Sequence, residues 1–75
     1  MANLIDLQVA IENSRSGQVR IEAGEGPDRE GGRAWIVSPD KPFGIVEPGH
    51  IAVAWDSGTT TVLPRDETGI TILGA

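Results

Sequence analysis

Residues His50 to Leu63, HIAVAWDSGTTTVL, alternate apolar and polar side chains on both sides of a four-residue break, Asp56-Ser57-Gly58-Thr59. Side chains of an extended chain project to opposite faces with a period of two, so Ile51, Val53 and Trp55 share one face. Gly58 supplies the positive φ that a tight reversal needs, and the Asp56 side chain is expected to cap the turn. The stretch predicts a β-hairpin and sets an all-β class for the chain.

The same alternation extends outward from this hairpin. Gln18 to Ala23 sets Val19, Ile21 and Ala23 against Gln18, Arg20 and Glu22. Arg33 to Ser38 (RAWIVS) reads as a short strand stopped by the reversal Pro39-Asp40-Lys41-Pro42, and Phe43 to Glu47 (FGIVE) reads as the next strand, with Gly44 at a bulge. Pro48-Gly49 then turns the chain into the hairpin. Pro64 cannot donate to a sheet ladder, so the strand before it stops there, and one turn of 3₁₀ helix over 64–67 is expected to lead to a last strand at Ile70–Leu73.

The first twelve residues admit two readings. Ile5, Leu7, Val9 and Ile11 alternate with polar or small residues, which predicts a strand paired with 18–23 through the turn Asn13–Gly17. Alternatively, Asn3 caps a helix running through Leu4, Leu7, Gln8 and Ile11, since Leu, Gln, Ala and Glu are good helix formers. The strand is the preferred reading because its neighbour can pair with it. Residues 24–32 (GEGPDREGG) have almost nothing to bury and are expected to form a flexible surface loop. Their glycines are not a phosphate cradle: no Gly-Lys-Ser/Thr follows, and no strand-to-helix context surrounds them.

Seventy-five residues make one domain, 1–75, with a small core. There is no cysteine, so neither disulfides nor thiolate metal sites compensate for that size. Either the packing suffices or a partner covers part of the surface, and homo-oligomerisation is one such solution. Eleven acidic residues against six basic ones give a formal net charge of −5, which argues against general binding to nucleic acid or anionic membrane. No run approaches the roughly 20 apolar residues of a membrane span, and no secretory signal is visible, so cytoplasmic residence is expected.

With strands and turns in place, the C-terminal half resembles the small SH3-like barrels. Gly44-Ile45-Val46-Glu47, Ile51-Ala52-Val53-Ala54-Trp55-Asp56-Ser57-Gly58, Val62-Leu63-Pro64 and Ile70-Thr71-Ile72 are similar to modules in which a GxV strand precedes a VxWDxG hairpin, a short turn and a closing strand. The MIB/HERC2 domain and Tudor-like modules share that order. The resemblance covers about thirty residues and implies an antiparallel barrel of five to six strands; function does not follow from it. A Tudor-type aromatic cage needs more aromatics than Trp35, Phe43 and Trp55, the only three here.

Little in the chain suggests catalysis. His50 is the sole histidine and has no serine or cysteine nucleophile pattern beside it, and Asp40, Asp56 and Asp66 lack metal-ligand spacing. No cofactor or metal is expected. The candidate contact residues are Arg33, Trp35, Phe43 and Trp55, with 24–32 as an adaptable rim. Core placement is the simpler reading for Trp55, whereas Arg33 beside Trp35 is a common hot-spot pairing.

The expected role is a non-catalytic module binding another protein, a size and acidity also common among phage and mobile-element proteins. Three alternatives remain open. An acidic nucleic-acid mimic requires Glu22, Glu25, Asp28, Glu30 and Glu47 on one face. An oligomeric barrel enzyme requires an intersubunit site containing Trp55 or His50. Direct nucleic-acid binding requires Arg15, Arg20, Arg33, Lys41 and Arg65 to cluster.

Overall fold

A computed structural model of the chain describes every residue except Met1, Glu25, Pro27 and Ala75. Among the described residues, one helix, α1 (Leu4–Glu12), precedes five strands, β1 (Val19–Ala23), β2 (Gly32–Ile36), β3 (Ile51–Trp55), β4 (Thr60–Val62) and β5 (Ile70–Gly74). All pairings are antiparallel, in the order β4-β3-β2-β1-β5. The first four strands form a meander, and β5 crosses back to take the free side of β1.

The N-terminal strand expected from alternation is a helix. Asn3 Oδ1 accepts from the Asp6 N–H at 3.0 Å, and Asp6 Oδ2 accepts from the Asn3 N–H at 3.3 Å, a reciprocal capping box. The helix divides the alternating set: Leu7 and Ile11 are buried, whereas Ile5 and Val9 face outward. Topology gives the reason. Both sides of β1 are already taken by β2 and β5, so the expected pairing of 5–11 with 18–23 has no free edge, and among the described residues before β1 only Ala2 bridges to the sheet, at Ile70. Asn3→Ala removes the cap and is expected to cost about 1 kcal/mol, or roughly 4–8 °C in Tm for a domain of this size. A thermal melt followed by circular dichroism checks it; an unchanged Tm would contradict the capping role.

The strand expected at Phe43–Glu47 is likewise absent. Pro42 and Pro48 bracket it, Gly44 sits at φ +55°, and the Val46 N–H donates to the Phe43 carbonyl at 3.1 Å, so the segment turns on itself. Ile45 is fully exposed. The Pro39-Asp40 reversal does form: Ser38 and Lys41 exchange backbone hydrogen bonds at 3.1 and 3.2 Å. At 64–67 the Glu67 N–H donates to the Pro64 carbonyl at 3.0 Å, a single turn that starts the chain toward β5.

The β3–β4 hairpin forms where expected, with Gly58 at φ +102° and the Trp55 N–H donating to the Thr59 carbonyl at 2.8 Å. Asp56 does not cap it. Its N–H donates to the Gly31 carbonyl at 2.8 Å, and its carboxylate reaches Arg20 Nη2 at 2.7 Å. The described residues at the C-terminal end of 24–32 are anchored to the sheet. The Ala23 N–H donates to the Arg29 carbonyl, Arg29 Nη1 binds Glu67 Oε1 at 2.7 Å, Gly31 is buried, and Gly32 opens β2. Glu25 and Pro27, part of that expected loop, lie outside the described residues.

One face of the sheet, covered by α1, holds the core: Leu7, Ile11, Val19, Ile21, Ala34, Val53, Trp55, Leu63 and Ile70 among others. The opposite face carries the alternate residues of β1 to β4, and it is there that three of the four candidate contact residues, Arg33, Trp35 and Phe43, meet.

Candidate functional site

Register places the outward residues in two rows. Arg20 of β1 lies opposite Arg33 of β2, Arg33 opposite Ala54 of β3, and Ala54 opposite Thr60 of β4. The second row runs from Trp35 through Ala52 to Val62. Like charges directly opposite in a sheet repel. Arg20 is relieved by Asp56, whose carboxylate it contacts at 2.7 and 3.5 Å. Gly31 permits that pair: a Cβ there would stand 2.7 Å from Asp56 Oδ2. Arg33 is exposed and makes no ion pair or hydrogen bond among the described residues.

Trp35 and Phe43 are both half-buried, and their rings meet edge to face with centroids 6.1 Å apart and planes at 84°. The 37–50 connection therefore bends back over the outer face, held by the Val37 N–H to the His50 carbonyl at 2.7 Å and the Gly49 N–H to the Val37 carbonyl at 2.8 Å. Lys41 Nζ donates to the Ser16 carbonyl at 2.6 Å and ties this connection to the turn before β1. Two open clefts result. One, of about 220 Å³, is lined by Ser16, Gln18, Val19, Arg20 and Arg33. The other, of about 380 Å³, is lined by Gln18, Trp35, Lys41, Pro42 and Ala54. Gln18 belongs to both, so they adjoin.

Arg33, Trp35 and Phe43 thus share one side of the molecule. Trp55 does not. It points through the opposite face, is 4% exposed, donates from Nε1 to Thr61 Oγ1 at 2.8 Å, and is overlain by the Arg29 guanidinium 6.0 Å from its ring centroid. Sequence reasoning missed Gln18 and the pairing of Arg20 with Asp56, 36 residues apart. The strand alternation already placed Gln18 and Arg20 on one face, but their neighbours across the ladder depend on register.

The other candidates are dispersed. His50 is half-buried, with Nδ1 3.0 Å from the Glu47 carbonyl and Nε2 3.4 Å from Arg65 Nη2. Both contacts are satisfied when Nδ1 donates and Nε2 accepts, so the ring is engaged in fixing the turn. Glu47 lies in the connection at one end of β2, whereas Asp28 and Glu30 lie in the connection at the other. Glu25, the fifth carboxylate of the expected acidic face, is outside the described residues. Among the described residues, no group of three or more His, Cys, Asp or Glu is placed to hold a metal ion, and no helix is long and apolar enough to cross a membrane.

No protein-family model matches this chain, and no match was found among curated proteins or solved structures.

Proposed function

We propose that this chain is a non-catalytic protein-binding module, built on a small SH3-like barrel, whose contact surface is the outer sheet face around Arg33, Trp35 and Phe43. The described strands form one open antiparallel sheet, and what supports the barrel reading is its connection: a four-strand meander, a single turn at 64–67, and a last strand returning to β1. The lack of cysteine fits residence in the cytoplasm. One observation carries the functional reading. A half-buried tryptophan–phenylalanine pair stands beside an exposed arginine that the described residues leave without a partner. Aromatics and arginine dominate the energetics of protein interfaces because they combine large apolar area with planar, multidentate hydrogen bonding.

The reading is tested by Arg33→Glu. Exposed substitutions away from packed contacts change stability by about 0.5 kcal/mol or less, and this one also removes the Arg20–Arg33 repulsion. The variant is therefore expected to melt at or slightly above the wild-type temperature while losing the proteins that immobilised wild-type chain retains and cross-links through this face. Retention of the same proteins by Arg33→Glu and by Trp35→Ala would overturn the assignment. Sedimentation of both variants beside wild type shows whether the face also serves self-association.

A further inference from the structure

We infer that this face recognises an extended acidic peptide segment in which a carboxylate and a bulky apolar side chain are two residues apart. The inference rests on the protein-binding reading above and adds the chemistry of the partner. Its first support is spacing. Arg33 and Trp35 are two residues apart on one face of β2, hence about 7 Å apart along the strand. An extended ligand lying over β2 presents its own side chains with that same period, so an acid at one position and an apolar group two residues on meet Arg33 and the Trp35 cleft together. An adjacent acidic–apolar pair cannot do so, because its side chains point to opposite sides of the ligand.

The second support is charge. Arg15 and Lys41 line a shallow hollow with Ser16, and Ser16 also lines the Arg20–Arg33 cleft, so four of the chain's six cations surround one short segment. Arg20 and Lys41 are already engaged, by Asp56 and by the Ser16 carbonyl. Arg33, facing Arg20 across the ladder with no carboxylate partner among the described residues, is the group a ligand anion would complete.

A carboxylate in a protein segment fits better than a nucleic-acid backbone. Glu12 and Asp40 line the same hollow as Arg15 and Lys41, and Asp56 holds Arg20, so three carboxylates interleave with the four cations. A phosphate backbone draws its affinity from several free cations tracked in series, and the net charge of −5 opposes a long polyanion. Trp35 is half-buried and already packed edge to face against Phe43, a single ring pair rather than the series of stacking aromatics that a nucleic-acid strand uses. The cleft bounded by Trp35, Pro42 and Ala54 suits an aliphatic or aromatic side chain instead.

The test is a titration of the isotope-labelled full chain with capped synthetic peptides, read from backbone amide and indole resonances. The probes are Gly-Asp-Ser-Leu-Gly, its order variant Gly-Asp-Leu-Ser-Gly, its charge variant Gly-Lys-Ser-Leu-Gly, and an oligothymidylate. The first peptide is expected to shift Gln18, Arg33 and the Trp35 indole. It is expected to bind about tenfold tighter than the order variant and to weaken about tenfold in Arg33→Gln and on raising salt. The lysine peptide is expected to leave these resonances in place. Equal response to the acidic and basic peptides, equal response to the two orders, no response, or preferential response to oligothymidylate would each overturn the inference. If Arg33→Glu and Trp35→Ala still abolish capture of cross-linked proteins in those cases, the protein-binding reading stands and only the partner chemistry is wrong. If capture is unaffected as well, both fall.

Discussion

Trp55→Ala is expected to leave the chain without a cooperative fold at room temperature. Trp55 is 4% exposed and packs within the cluster that includes Val53, Ala34, Ile21 and Leu63. Truncating a buried aromatic costs about 3–5 kcal/mol in lost transfer free energy and residual cavity. Marginal stability of about 0.05–0.15 kcal/mol per residue, toward the low end for a chain this short, leaves little or nothing after that loss. Two further contacts go with the ring. The indole N–H leaves Thr61 Oγ1, and the Arg29 guanidinium loses the π face beneath it while remaining held by Glu67 and the Ala23 carbonyl. Thr61→Val separates these contributions, since it removes only the indole's acceptor and is expected to cost about 1–2 kcal/mol, leaving a cooperative melt. The checks are far-ultraviolet circular dichroism with temperature and the dispersion of amide proton resonances. A Trp55→Ala chain that melted cooperatively within a few degrees of wild type would show that Trp55 does not anchor the core.

Gly32→Val is the second large effect expected. Gly32 opens β2 on the core side and is not one of the positive-φ glycines, so its requirement is space alone. A Cβ there would stand 2.6 Å from Val53 Cγ1, 2.8 Å from the Trp55 ring and 3.1 Å from the Ala54 carbonyl oxygen. The backbone carbonyl cannot move without disturbing the β2–β3 ladder, in which Gly32 pairs with Trp55 and Arg33 with Ala54. Overpacking a core costs about 1–3 kcal/mol, and a branched side chain at this point falls at the upper end. Guanidinium denaturation measures it. Gly32→Ala combined with Val53→Ala sharpens the test, because the second substitution removes the methyl that the first collides with. The pair is expected to be less destabilised than the sum of the two changes, a coupling of about 0.5 kcal/mol or more. Strict additivity would mean that the strand shifts to accept the new Cβ.

The hairpin at 50–63, the strands near 18–23 and 33–38, the Pro39-Asp40 reversal and the turn after Pro64 were legible in the chain because each rests on local physics. Alternation over one strand, a positive φ at Gly58 and a missing N–H at proline act within a few residues. The class with one antiparallel sheet follows from them. The placement of Arg33 and Trp35 on a common face was legible for the same reason, being two residues apart in one strand. Residues 4–12 were not decided this way: the same apolar positions suit a strand or a helix, and Asn3 marked only a possible start, its reciprocal bonds with Asp6 being seen in the structure alone.

Tertiary structure settled what depended on pairing between distant segments. With β2 and β5 flanking β1, the N-terminal segment became a helix lying over the core, and FGIVE, bracketed by prolines and lacking a ladder, became a turn that carries Phe43 to Trp35. Register alone set Arg20 against Arg33 and drew Asp56 away from its own turn to Arg20, 36 residues earlier. Local periodicity determines which way a side chain points; which charges and rings it then meets is determined by strand order and register, and those are chosen by burial of the whole core at once.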